Sequence, residues 1–575
     1  MLDLLGKRSA ILEADGNLLV MGGPGSGKTT IALLKADCII HSDLLDTGQK
    51  ILFLSFARAT ISRVEQQVKT MLKSSGTSSL EVTTYHSFIW TVLRSHGYLL
   101  VPHKMQLLLP HDASTRLSVF APEEQASEIE RLFQEEGVLH FDLFAKSCTD
   151  LLMRSAALSE IIATAYPIII LDEFQDTNEH EWLLISHLGK RSTLIALADP
   201  DQRIYDFRGA SPARIQQFAE AFCPSKFDFG TENNRSSGTD IVEFGNDLLA
   251  GRNKGKSYKN VHIKKYRSRA RNSHLIYLKK YVLKRISENS NNVDWSMAIL
   301  TPSNQMMTTI SHYLSDQHKV NGEDIIPAVP HEVAIDSSGP SIAAITIAEL
   351  LELASRQECT LKDFVLALCK HILGRGGGKK VSKANQELVQ SLTEYVTRRD
   401  YSKEIRGKNR QLIIKECEEI VAQCSNTNFT GDVASDWMLI RDALTSATTD
   451  CIERLLKDAM HIRLLHKGSL LSSSLARIWR TSGNYFGAAE AVKNAITQEH
   501  FALSLKTWSG VNVMTIHKAK GKEFDEVIIY EGLHNGRIVV DDDLDKARLS
   551  LRVAVTRAKN SAVIVTPEDN PCPLL

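Results

Sequence analysis

Residues 18–30 read LLVMGGPGSGKTT, and IALLKADCII follows. A short apolar strand runs into the turn Gly22-x4-Gly27-Lys28-Thr29, and a helix continues it. This order of strand, glycine turn and helix is a phosphate-binding P-loop. The glycines let successive backbone N–H groups turn inward around phosphate oxygens, and the helix N-terminus adds its positive dipole end. Lys28 reaches the terminal phosphates and Thr29 offers a hydroxyl to Mg²⁺. The residues expected to hold a nucleoside triphosphate are therefore Gly22, Gly23, Pro24, Gly25, Ser26, Gly27, Lys28, Thr29 and Thr30.

A P-loop needs a second strand that ends in an acid beside the phosphates, and residues 167–178, PIIILDEFQDTN, supply one. Asp172 is expected on the metal side, sharing Mg²⁺ with Thr29. Glu173 is expected to act as base or positioner for the attacking water. Gln175 and Asp176 lie beyond what this metal argument requires.

At 575 residues the chain is too long for one core, and about four units are expected. Lys plus Arg and Asp plus Glu both count 68, so any nucleic-acid binding must come from local patches rather than an overall cationic field. The nine cysteines form no CxxC pair, which argues against a zinc ribbon or redox pair and fits a reducing compartment. MLDLLGKRSAILEADG lacks the apolar core of a signal peptide, and no run of about 18 apolar residues occurs. A cytoplasmic protein without a membrane partner is expected.

Further segments follow in a telling order: ILFLSFARAT (51–60), VTTYHSF (82–88), LIALADPDQRIYDFRGA (194–210), ENNRSS (232–237), MTIHKAKGKEFDEV (514–527) and LRVAVTRAK (551–559). With GGPGSGKTT and LDEFQDTN, the set resembles superfamily 1A helicases, the UvrD/Rep/PcrA group, over nearly the whole chain. The resemblance implies an α/β fold with two RecA-like P-loop NTPase cores, 1A and 2A, each interrupted by a mainly helical insertion, 1B and 2B. The expected division is 1–90 and 161–226 for 1A, 91–160 for 1B, 227–355 and 507–575 for 2A, and 356–506 for 2B.

It also implies roles. Arg235 and Arg557 would reach the phosphates from 2A, Gln202 would sense the terminal phosphate, and Glu523 would contact the nucleotide sugar. Together with Lys28, Asp172 and Glu173 these form the expected catalytic set, with ATP and Mg²⁺ as cofactors. Phe56, Tyr85, His86, Tyr205, Phe207 and Arg208 fall where the family touches single-stranded DNA, as aromatic platforms and backbone contacts.

Three positions depart from the family pattern. Lys7 in KRSAI stands where a glutamine commonly reads the adenine edge, and Asn234 stands where an aromatic stacks on the base. Arg552 replaces the tyrosine usual in the last motif. The first two changes predict relaxed base preference or a high KM. Outside the motifs, residues 251–271 hold nine Lys or Arg and no acid, and 374–383 form a glycine-rich basic loop; either would suit duplex phosphates or a solvated surface.

The leading expectation is an ATP-driven single-stranded DNA translocase and 3′–5′ helicase acting on single-stranded and tailed duplex DNA. A second reading, of a different class, is a DNA-sensing regulatory subunit with a nuclease partner, as in Gabija-type anti-phage defence. The short 1B interval and the altered base pocket favour it. An inert nucleic-acid-binding module is disfavoured by retention of Lys28, Thr29, Asp172, Glu173, Gln202, Arg235 and Arg557.

Overall fold

In the computed structural model the described residues are 6–42, 44–56, 60–61, 64–65, 67, 79–118, 120–200, 211, 213–230, 232–267, 273–320, 324–334, 338–376, 381–398, 405–460, 470–501, 508–540 and 543–575. They divide into two compact units. The first comprises 1–93, 145–335 and 503–575, and the second 94–144 and 336–502. Among the described residues no helix is long and apolar enough to cross a membrane.

Among the described residues the first unit contains two six-stranded sheets. The strands of the first run, from one edge, Leu80–Thr84, Ile51–Ser55, Ile168–Leu171, Thr193–Ala198, Leu18–Met21, Ser225–Asp228. Every neighbouring pair is parallel, with Leu18 opposite Ile195 and Ile51 opposite Ile168. A parallel sheet is covered on both faces, so its strands read as continuous apolar runs; ILFLS is buried at every position and IIIL at its last three. The second sheet runs Glu332–Val333, Gly510–Thr515, Ser296–Thr301, Phe524–Tyr530, Ala558–Pro567, Val261–Tyr266, again parallel throughout. One of its faces packs on the helices Ile241–Leu249 and Leu544–Val555, and the other on Ser273–Glu288 and Asn304–Ser315.

The P-loop strand and the strand carrying Asp172 are not neighbours. Thr193–Ala198 lies between them, and its carboxyl end delivers a third acid, Asp199, to the same sheet edge. Ligands in open parallel sheets sit at the carboxyl ends of the strands, so this edge locates the site.

The second unit is helical, built from two distant chain segments around one core. Its axis is Ser338–Ser355, whose residues from Ile342 to Leu351 are buried except Glu349; a helix apolar on nearly all sides belongs in an interior. Leu109 enters the same core as Leu350, Phe364, Trp437 and Tyr485, and Gln386 Nε2 donates to Ser118 O at 3.4 Å. Thus part of the predicted 91–160 insertion shares a core with residues of the later one, while 145–160 belongs to the first unit.

Candidate functional site

The loop after Leu18–Met21 turns through Gly25 at φ 77° and Gly27 at φ 92°, both in the left-handed region that favours glycine. A side chain at Gly25 would also meet Arg235, its Cβ falling 2.7 Å from that of Arg235. The helix Lys28–His41 starts at once, so its free N–H groups face the loop. Lys28 Nζ donates to the carbonyls of Gly22 (2.6 Å) and Gly23 (3.1 Å). Burial pushes the Lys28 ammonium down, opposed by Asp199, Glu173 and Asp172.

A cavity of about 260 Å³ opens here, in the first unit. From the first sheet's side it is lined by Pro24 to Thr30, Thr60, Gln67, Asp172, Glu173 and Asp199; from the other side by Asn234, Arg235, Gly521, Glu523 and Arg557. The structure thus brings together the predicted Pro24, Gly25, Ser26, Gly27, Lys28, Thr29, Thr30, Asp172, Glu173, Arg235, Glu523 and Arg557. Gln202, Tyr205, Phe207 and Arg208 lie outside the described residues.

The two acids of LDEFQD are held differently. Asp172 continues its strand, its N–H donating to Leu54 O at 2.8 Å, and Ser55 Oγ donates to its Oδ2 at 2.9 Å. Glu173 leaves the strand in the left-handed region, φ 53°, a costly conformation for a residue with a Cβ and one that concentrates at functional sites. Gln175 Nε2 donates to Glu173 Oε2 at 2.6 Å, while Gln175 Oε1 accepts the N–H of Asp199 at 3.0 Å. Burial would raise the Glu173 carboxyl, but Lys520, Lys28, the Gln175 hydrogen bond and Arg557 outweigh it and hold the group below the usual range. It is therefore ionised at neutral pH, as a water-positioning carboxylate must be.

The arginines of the opposite side form one cluster. Arg235 Nη2 lies 2.7 Å from Glu523 Oε1, and its Nη1 donates to Thr556 O at 3.0 Å. Arg557 Nε donates to Val553 O at 3.0 Å at the end of the helix Leu544–Val555. Among the described residues, ion pairs cross between the sheet domains. Lys520 pairs with Asp176, both side chains 2% exposed, and Arg552 Nη1 lies 3.9 Å from Asp199 Oδ1 with both side chains buried. Sequence reasoning gave Gln175, Asp176, Asp199 and Lys520 no role. LIALA followed by Asp199 repeats the pattern of IIIL followed by Asp172, and that repetition was the available signal.

Among the described residues no group of three His, Cys, Asp or Glu could hold a metal by itself. The oxygens of Thr29, Asp172 and Glu173 around one cavity suit a hard cation that takes its remaining ligands from nucleotide phosphates and water, so the donor set fits Mg²⁺.

At the two positions expected to hold the base, the Lys7 ammonium donates to Asp228 O at 2.7 Å. Asn234 lines the cavity, but its Nδ2 donates to Ser26 O at 3.3 Å and its N–H to Gly25 O at 2.8 Å. Arg8 pairs with Glu232 and lies over the Phe229 ring, 5.0 Å from its centre.

Of the predicted DNA contacts, Phe56 and His86 are half-buried. Tyr85 is 1% exposed and stacks on Phe56 with ring centres 4.2 Å apart. As placed here, Tyr85 backs Phe56 rather than offering a face of its own. In the basic segment, Arg252 and Lys256 pair with Asp247 and Arg267 pairs with Glu568, while Lys254, Lys259, Lys264 and Lys265 are exposed.

Comparison with known proteins agrees with this geometry. The family model of the UvrD/REP helicase N-terminal domain matches residues 6–133 and 111–223, and that of the UvrD-like helicase C-terminal domain matches 379–568. A probable DNA helicase II homolog of Rickettsia conorii is 20% identical across 98% of this chain and 92% of its own length. The putative ATP-dependent DNA helicase YjcD of Bacillus subtilis is 23% identical over 44% of this chain and 39% of its own. ATP-dependent DNA helicase UvrD2 of Mycobacterium bovis is 23% identical over 42% and 43%. The match thus spans less than half the length of these last two relatives. The P-loop, the paired acids after Ile168–Leu171 and the facing arginines place the chain in the UvrD/Rep-like superfamily 1 DNA helicases, a family of ATP hydrolases.

Proposed function

We propose that this protein hydrolyses ATP between its two sheet domains to move along single-stranded DNA, travelling 3′ to 5′ and unwinding tailed duplexes in the cytoplasm. In this reading the two six-stranded sheets of the first unit are the RecA-like cores, and the helical unit, 94–144 with 336–502, holds most of the two expected insertions. The observation that carries it is a single cavity with Lys28, Asp172 and Glu173 on one side and Arg235 and Arg557 on the other.

The arrangement supports a division of labour. A terminal phosphate takes Lys28 from the Gly22 and Gly23 carbonyls, exchanging a neutral acceptor for a charged one. Glu173, ionised and steadied by Gln175, orients a water and accepts its proton as the water oxygen bonds to the terminal phosphorus and the bond to the bridging oxygen breaks. Arg235 and Arg557 face the charge that develops on the phosphoryl oxygens. When bound with the nucleotide, Mg²⁺ would be held by Thr29 and Asp172 and would neutralise phosphate charge.

ATP hydrolysis with and without single-stranded DNA, beside strand displacement on a 3′-tailed duplex, tests the proposal. DNA-stimulated hydrolysis with unwinding supports it, and displacement confined to 5′-tailed duplexes overturns the polarity. Hydrolysis without unwinding, redirected by a co-purifying nuclease, moves the reading to a regulatory subunit.

A further inference from the structure

Arg552 departs from the family's motif, and its surroundings suggest why. It sits on Leu544–Val555, the helix that ends beside Arg557, with its side chain 2% exposed. One guanidinium nitrogen, Nη2, donates to Asn246 Oδ1 at 3.2 Å within the second sheet domain, and the other, Nη1, lies 3.9 Å from Asp199 Oδ1 in the first. Burying an arginine is costly unless a fixed carboxylate faces it. The main chain of Asp199 is held at its N–H by Gln175, whose amide also holds Glu173, and its side chain is 3% exposed. Asp199 lines the nucleotide cavity with Lys28, and of the acids around Lys28 it acts most strongly on it.

We propose that Arg552 is a positioning residue: by pairing with Asp199 across the cleft it ties closure of the second sheet domain to the Gln175–Glu173 hydrogen-bond chain and to the surroundings of Lys28. Two consequences follow. Closure draws the Asp199 charge toward Arg552 and leaves Lys28 to the phosphate. The helix that ends beside Arg557 is also brought into register by a contact made in the other domain. A tyrosine at 552 fills space but offers no charge to Asp199. This inference rests on the hydrolytic reading above.

The test uses the full chain with Arg552→Tyr, Arg552→Lys, Asp199→Asn and the Arg552→Tyr/Asp199→Asn double variant, each checked for an unchanged melting transition. For Arg552→Tyr, kcat for DNA-stimulated ATP hydrolysis is expected to fall about tenfold or more while KM changes less than about threefold, because the pair matters in the closed state that reacts. Arg552→Lys should recover part of the loss. The double variant should be no slower than the slower single variant within about twofold, since both break one pair. Parent-like kcat in Arg552→Tyr, or losses that multiply, overturns the proposal. Should Arg552→Tyr fail to fold, Asp199→Asn and Arg552→Lys decide by the same kcat and KM criterion. Loss of parental hydrolysis in Lys28→Ala establishes the hydrolytic reading separately. If the parent hydrolyses nothing, that reading fails, and the distance between spin labels in the two sheet domains decides instead: Arg552→Tyr should lengthen or broaden it, and an unchanged distance overturns the proposal.

Discussion

The cavity's charged lining and the two positions expected to hold the base differ in chemistry. On the phosphate side, Lys28, Asp172, Glu173, Asp199, Arg235 and Arg557 surround one space, and the pairs Lys520–Asp176 and Arg552–Asp199 join its walls. At the positions expected to read or stack the base, Lys7 and Asn234 instead make hydrogen bonds to backbone carbonyls. The difference teaches that affinity here is expected to come from charge on the phosphates, with little selection for adenine.

The strongest way to break this comparison is Glu173→Gln. It should lower ATP turnover by about 10²- to 10⁴-fold, the range for a lost acid–base group, while nucleotide binding, followed by fluorescence of a labelled analogue, persists. Lys28→Ala should reduce turnover by about 10²- to 10³-fold, as for loss of one charge-stabilising donor, and should weaken binding as well. Undiminished turnover in that variant would remove the phosphate half from the mechanism.

Lys520→Ala leaves Asp176 buried without its cation, and an uncompensated buried charge costs about 3–5 kcal/mol. A melting transition lower by several degrees is expected, read by calorimetry, and an unchanged transition would show that the pair does not hold the walls together. Asn234→Tyr sharpens the comparison from the other side: a supplied stacking face is worth about 1–3 kcal/mol. KM for ATP and for GTP should each fall about tenfold, since either purine stacks on the ring, while their ratio stays near that of the parent.

The smallest effect is on pH. The folded Glu173 carboxyl lies below its ordinary 4.5, held down by Lys520, Lys28, Gln175 and Arg557 against burial. It therefore contributes stability that is fully present above pH 4.5 and is lost as the pH falls through the folded value. Urea midpoints measured down the acid limb should show Glu173→Gln less pH-sensitive than the parent.

Local signals were legible where chemistry demands a fixed spacing. Gly22 to Thr30 and the strand ending in Asp172 could be placed from sequence because a cradle of N–H groups and a following carboxylate tolerate few alternatives. The facing residues Arg235, Glu523 and Arg557, from motifs up to about 320 positions apart, came only through family resemblance, since no local period joins them. Lys520–Asp176 and Arg552–Asp199 escaped notice because an ion pair between distant segments leaves no pattern in either. Tyr85 was expected on the DNA track, yet an aromatic in TYHSF reads alike whether it faces solvent or backs Phe56.

The helical unit draws on residues 94–144 and again on 336–502. A ribosome emits about 5–20 residues per second, so Leu109 and its neighbours wait roughly 20–80 s for the last of the helices that complete their core. During synthesis the nascent chain therefore carries an orphaned apolar surface, a natural target for chaperones, and a polypeptide stopped at residue 335 would keep it.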